Sequence, residues 1–431
     1  MILRDPVHGL IAFESDDNAI VEDLLGTREV QRLRRIRQLG FTSLAYPGAE
    51  HSRFAHAIGT AHVMKRLAQR LRDVEGSLPL AHRLSPERAR DAVAAALLHD
   101  VGHGPLSHMF EDALPESVRH EIWTKRIVLD PDSEVNRVLA AQDPHMPARV
   151  ACLVGGQHEL PYLARAISGT FDVDRCDYLL RDAHATGVPY GNFDLDWFHR
   201  SLRFAPLPLD GTAPPLAIDG AKGLAAIESF VLARLFMFQQ VYFHKATRAA
   251  EWMVRAALNV AVRYLADGNQ LPNTPRAIRA AAAGRQPSLD EYLELDDCVL
   301  TSALRAWEQA PNHTLANFCR RIRARQLYKT IELYGDVASS QQARSHALAV
   351  ARDVTRSANL DPDDHVGLDS ATNTPFDDQD DSLVVVFERG APRRPADVSF
   401  LLKRLDGQPL TRVRLIVAPQ VREQILYALE S

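Results

Sequence analysis

Eight of the 17 histidines, at positions 51, 56, 62, 82, 99, 103, 108 and 120, fall within the 70 residues from His51 to His120, where even scatter would place roughly three. Imidazole is a common metal ligand and exchanges a proton near neutral pH, so the concentration points to a site that holds a metal, moves a proton, or both. Taken singly, His51, His62 and His82 read as hydrogen-bonded structural histidines. The pair His99-Asp100 closes the apolar run Asp91–Leu98 and precedes Val101-Gly102-His103-Gly104-Pro105. Neighbouring side chains on a helix point about 100° apart, so these two can meet one ion only at a helix edge facing the core, with further ligands arriving from other helices. His56, on a helix beginning near Arg53, and Asp174, at the start of FDVDRCDYLLRD, are the candidates to complete the set. Two imidazoles and two carboxylates suit Mn, Fe, Zn, Ni, Co or Mg. An aspartate can also bridge to a second ion, such as Mg carried on substrate phosphates.

His108 and Glu111 are three apart and can share a helix face, so Glu111 could orient an imidazole or raise its proton affinity. Asp174, Tyr178 and Asp182 recur at intervals of four, with Arg175 three before Tyr178, so one helix face can present a metal ligand and polar contacts together. Tyr242-Phe243-His244-Lys245 sits in a long amphipathic pattern, where a core tyrosine and a ligand contact are both compatible with the spacing.

The elements that must position these residues are mainly helical. Apolar residues recur at three and four residue intervals from Asp23 to Asp73, from Pro86 to Ala113 and from Ala221 to about Ala266. Arg203–Asp219, with prolines and a central Asp-Gly, reads as a hairpin-like insertion in a core spanning 1–266. Residues 267–286 read as a linker, and 287–431 as a C-terminal helical and α+β appendage. Within it, 361–381 holds eight aspartates and reads as a mobile solvated loop. Leu383–Phe387 and Val413–Val417 are β-like, with a helical stretch around Val398–Leu405 between them.

Hydrophobic residues are 46% and charged residues 24% of the 431, a soluble globular composition that excludes a mainly disordered chain. Apolar stretches such as Ala92–Leu98 fall far short of the roughly 20 residues a bilayer span needs, and the N-terminus lacks a signal-peptide pattern. A cytoplasmic protein with no membrane partner is expected. Four cysteines without a CxxC encode neither a disulfide framework nor a thiolate zinc site. A net charge of −5 argues against a surface built mainly for nucleic acid. The arginine clusters at 31–37 and 320–325 read as solvated helix faces, with phosphate binding the minority reading.

Five segments in order resemble those of HD-domain deoxynucleoside triphosphate triphosphohydrolases, a group that includes dGTPase-like bacterial enzymes and animal enzymes joining a SAM domain to an HD domain. They are Asp5-Pro6-Val7-His8-Gly9, Gln38-Leu39-Gly40, Tyr46 through His56, Leu98 through Phe110, and Asp172 through Asp182. The resemblance covers about residues 1–265. It implies an HD-domain helical core and hydrolysis of a dNTP to a deoxynucleoside and inorganic triphosphate. By matching position it makes His56, His99, Asp100 and Asp174 metal ligands. His103, His108, Glu111 and His120 would surround the α-phosphate, with His108 the expected proton donor and His103 and His120 assisting. Gln38 and Leu39 would lie near the sugar, Arg53 and Arg175 on phosphates, and Tyr178, Asp182 and Tyr242 on the sugar or base side.

The chain also departs from the family. Glu111 stands where the family usually has aspartate, a longer arm beside the α-phosphate. Gln31, Arg34, His244 and Lys245 match nucleotide-contacting positions of the animal enzyme's allosteric region, but Gly26 and Arg4 replace an aspartate and an asparagine there. These departures point away from guanine-specific activation and leave room for another nucleotide. A homo-oligomer (dimer, tetramer or hexamer) is expected by analogy. Two alternatives stand beside the triphosphohydrolase: another HD phosphohydrolase, such as a nucleotidase or phosphodiesterase, and a catalytically inactive sensor of nucleotides or single-stranded nucleic acid.

Overall fold

The computed structural model describes residues 1–14, 19–106, 118–377 and 383–430. The chain opens with an antiparallel hairpin of β1 (Ile2–Asp5) and β2 (Gly9–Ala12). Its turn, Pro6–His8, is tied by the Asp5 side chain, whose Oδ1 accepts from the backbone N–H groups of Val7 and His8, each at 2.9 Å.

Four helices frame the histidine cluster. Helix α1 (Arg53–Val74) starts where the backbone of Ile36 and Gln38 pairs with that of His51 and Arg53, at 2.9 Å for each bond. Helix α2 (Pro86–Leu98) is capped by Ser85, whose Oγ accepts from Arg88 N at 3.2 Å, and has proline at its first position, where no hydrogen-bond donor is lost. Every residue from Ala92 to Leu98 is buried, so the second half of α2 is apolar all round and runs through the interior. Helix α3 spans His120–Leu129. Helix α4 (Val173–Thr186) is capped by Asp172 and stopped by Gly187 in the left-handed region at φ 76°. Helix α1 packs against both α2 and α4. Met64, Leu71, Leu97, Leu98 and Leu179 fill the seams with no exposed surface, each contributing about 1.5–3 kcal/mol by leaving water.

The 203–219 segment is an antiparallel hairpin, β3 (Leu202–Phe204) with β4 (Leu216–Asp219). The helix expected to run from 221 to 266 is broken. It is α5 (Leu224–Met237), a wide π-type turn at Phe238–Tyr242, and α6 (Lys245–Ala266), whose start is capped by His244. Widened turns of this kind recur at functional sites, and this one carries Tyr242. The stretch Leu224–Tyr242 is also longer than the apolar runs legible by eye. By length and composition it could cross a membrane, and 44% of its apolar window is buried inside the fold.

Residues 267–286, expected to link, include helix α7 (Arg276–Ala282), whose Ala277 and Ile278 are fully buried against α6. Beyond it, β5 (Lys329–Leu333) and β6 (Val366–Asn373) flank a later strand on either side, both antiparallel to it. Strand β7 (Val384–Val386) returns to the first core and pairs in parallel with β4, and the central strand of the β5 sheet is β8 (Leu410–Val417). The acidic 361–381 stretch is therefore not a solvated loop over its described part. Asp369 is buried and pairs with Arg248 of α6, and Gly367 is small enough for β6 to lie against the Trp252 ring. Residues 378–381 lie outside the described residues.

Two histidines of the first core set an acid limit. Burial, then neighbouring cations, pushes His62 down to about 4 and His199 down to about 3. Both are neutral when folded but take up protons in the unfolded chain below about pH 6.5. The unfolded state binds more protons in that window, so stability is full above it and is lost as the pH falls. Thermal melts between pH 7.5 and 4.5 should show a falling midpoint, with a shallower fall for His199→Phe. An equal slope in the variant contradicts this assignment.

Candidate metal centre and active site

His56 lies one turn into α1, His99 and Asp100 follow the end of α2, and Asp174 stands in the first turn of α4. His56 Nε2 is 3.0 Å from Asp174 Oδ1 and 3.7 Å from Asp100 Oδ2. His99 Nε2 is 3.4 Å from Asp174 Oδ1 and 3.4 Å from Asp100 Oδ1. Three separate stretches of chain thus bring two imidazoles and two carboxylates to one point. The other nitrogen of each ring is already used: His56 Nδ1 donates to Asp177 Oδ2 at 2.7 Å, and His99 Nδ1 to the Ala96 carbonyl at 2.8 Å. Each Nε2 is left as a buried lone pair with no hydrogen-bond partner among the described residues, facing carboxylate oxygens. A lone pair set against a carboxylate repels it unless a proton or a metal cation lies between them. His56, His99 and Asp174 accordingly form a group that could hold a metal ion. Burial would depress His56, but Asp174 and Asp177 carry it up to about 10, so without an ion a proton on Nε2 fills the place a cation would take between the ring and Asp174. Burial would raise Asp174, but His56 and His99 hold it well below the usual carboxylate range.

Beside this centre, Arg53 pairs with Asp100 Oδ2 with both side chains buried, and His103 Nε2 lies 3.2 Å from Asp100 Oδ1. The rings of His103 and His120 stack at 3.7 Å. Asp100, His103 and His120 make a second group of metal-capable geometry that adjoins the first through Asp100. Burial and the Arg53 cation hold His103 well below its ordinary value. The loop 99–106 is braced from the C-terminal part of the chain: Tyr292 Oη donates to Gly102 O at 2.7 Å, and Asp297 Oδ1 accepts from Leu106 N at 2.9 Å. Leu106 stands at φ 58°, strained for a leucine and held by that bond. His108 and Glu111 lie outside the described residues.

Further along α4, Asp182 is buried, accepting from Tyr242 Oη at 2.8 Å and facing His51 Nε2 at 2.8 Å. The Tyr178 and Tyr242 rings meet edge to face at 6.1 Å. Gln38 and Leu39 adjoin this group through the Gln38–His51 backbone bond. His51, read from sequence as structural, therefore belongs to the chain of polar contacts that positions Tyr242. Arg175 is engaged by Asp172 and the Gly169 carbonyl at the start of α4.

Of the positions expected for a regulatory nucleotide, Arg34 donates to Gln31 at 2.8 Å and stacks on Phe54. The His244 ring meets Tyr46 at 5.5 Å. Lys245 borders a cavity of about 540 Å³ that also presents Arg325, Lys329 and Arg422, a cationic group the sequence alone did not assemble.

Asp177, Arg181 and His8 were not picked out from the sequence. Asp177 and Arg181 are four apart in the same segment as Asp174, which is the spacing of a helical ion pair. His8 lies in the Asp5–Gly9 segment that carries the resemblance, but no role was assigned to it there.

The HD domain family matches residues 53–182, and the HD associated region matches 214–271. The uncharacterized protein YwfO of Bacillus subtilis is 34% identical over 376 residues, covering 87% of this chain and 81% of that protein. The deoxynucleoside triphosphate triphosphohydrolase SAMHD1 homolog of Dictyostelium discoideum is 27% identical over 380 residues, covering 83% of this chain but only 65% of that protein. A crystal structure of a phosphohydrolase from Bacteroides thetaiotaomicron superposes with a TM-score of 0.79 at 26% identity, covering 97% of this chain and 99% of that one.

Proposed function

The chain belongs to the HD-domain metallophosphohydrolase family, and on that premise we propose that it hydrolyses deoxynucleoside triphosphates to a deoxynucleoside and inorganic triphosphate. The observation that carries the proposal is the convergence of His56, His99, Asp100 and Asp174 with Arg53 and His103 at their side. The relatives named as deoxynucleoside triphosphate triphosphohydrolases support the substrate class.

A divalent ion held by the four residues would neutralise phosphate charge and lower the pKa of a water molecule. Arg53 and Arg175 would grip a substrate that brings about four negative charges. The bond that breaks joins the α-phosphorus to the sugar's 5′-oxygen, and that oxygen needs a proton, which His108, assisted by the stacked pair His103 and His120, would supply. Substrate phosphates beside Arg53 would offset the cation that depresses His103, so the imidazole gains proton affinity as substrate arrives. Tyr178, Asp182 and Tyr242 would bound the sugar and base.

Incubation with each dNTP, singly and mixed, in the presence of Mn, Mg, Fe or Co is expected to release inorganic triphosphate and deoxynucleoside in equal amounts. Orthophosphate released from a monophosphate, with dNTPs left intact, would instead identify a nucleotidase. A regulatory nucleotide is favoured by the cationic cavity at Lys245, Arg325, Lys329 and Arg422, and faster turnover in mixed than in single dNTPs is the corresponding result.

A further inference from the structure

The turn of the N-terminal hairpin reaches into the layer behind the metal centre. His8, its side chain almost wholly buried, donates from Nε2 to Asp177 Oδ1 at 2.7 Å. The other Asp177 oxygen takes the proton of His56 Nδ1 at 2.7 Å. Arg181 grips both oxygens, at 2.8 and 2.9 Å, and reaches Asp5 Oδ2 at 2.8 Å. Asp5 and His8 belong to the same turn, so the contacts close a circuit from the hairpin through Arg181 and Asp177 back to the hairpin. Gly59, three residues after His56, makes room for it, since a Cβ there would overlap the Asp177 carboxylate and the Arg181 guanidinium. The buried circuit holds two carboxylates against one guanidinium. Its surplus negative charge is balanced by a proton on the His56 ring or by a cation on the far side of that ring.

We propose that the hairpin turn is a positioning element of the metal centre: His8, acting through Asp177, fixes the His56 ring so that its free nitrogen faces the ion. This rests on the reading that His56, His99, Asp100 and Asp174 hold a divalent metal. A carboxylate that orients a metal-bound histidine typically governs about 10- to 100-fold in metal affinity. His8 acts one contact further out and is expected at the lower end of that range. Metal affinity is thereby coupled to whether residues 5–8 are seated on α4, although the hairpin supplies no ligand.

The test is calorimetric titration of the full chain, stripped with a chelator, with Mn²⁺ alone, accompanied by thermal melts of the metal-free proteins. His8→Leu should weaken Mn²⁺ binding about tenfold, whereas His8→Gln, whose amide can still donate to Asp177, should stay within about threefold of wild type. Wild-type affinity in His8→Leu, or equal loss in the leucine and glutamine variants, overturns the positioning role while leaving the metal centre intact. A wild-type protein that takes up no Mn²⁺ overturns the metal centre and the positioning role with it. Should His8→Leu fail to fold, His8→Met, which keeps the bulk but offers no donor, takes its place: Mn²⁺ binding about tenfold weaker than in His8→Gln supports the proposal, and affinity equal to that of His8→Gln overturns it.

Discussion

Asp174→Ala is expected to lose both the metal and the activity, with kcat/KM falling at least about a thousandfold. Its Oδ1 faces both free imidazole nitrogens, at 3.0 Å from His56 and 3.4 Å from His99. Without it, a cation would meet two neutral imidazoles and an Asp100 carboxylate already shared with Arg53 and His103. Two effects then add: weaker retention of the ion, and less neutralisation of the charge that grows on the phosphates. The checks are metal content after dialysis and initial rates at saturating Mn²⁺. A variant that keeps about one ion per chain and turns over within tenfold of wild type would remove Asp174 from the centre.

Arg53→Ala should separate those two effects. Arg53 is buried against Asp100, which holds it beside the metal-facing groups without making it a ligand. Its removal frees Asp100 to face the cation, so metal content should be unchanged, while kcat/KM falls about 100- to 1000-fold through loss of a phosphate-binding cation. Arg53→Lys should recover only part of that loss, because an ammonium lacks the planar fork that grips two oxygens at once. Loss of metal in Arg53→Ala would instead assign the arginine to organising the centre.

The convergence of His56, His99, Asp100 and Asp174 was legible in the sequence because metal chemistry restricts the residue types, helical geometry restricts the spacing, and the resemblance to HD-domain enzymes marks the positions. His99-Asp100 at the end of an apolar helix, and Asp174 at the start of another, are what such a centre demands, and the structure brings His56 to them. The layer behind was not legible, because His8 and Asp177 meet across 169 positions of sequence and no local pattern records the contact. The same holds for Tyr292 and Asp297, which brace the loop 99–106 from a part of the chain that carried no motif. Local composition also misled at two places. The aspartates of 361–381 masked the alternation of β6, whose buried Asp369 is matched by Arg248. The unbroken apolar pattern from Ala221 to Ala266 hid the widened turn at Phe238–Tyr242, since neither glycine nor proline marks it.

The most direct measurement is an anomalous-scattering map from crystals soaked in Mn²⁺. A centre of the kind described places one strong peak at coordination distance, about 2.0–2.3 Å, from the Nε2 atoms of His56 and His99 and from carboxylate oxygens of Asp100 and Asp174. A peak held by other residues, with these four side chains in contact only with one another or with water, contradicts it.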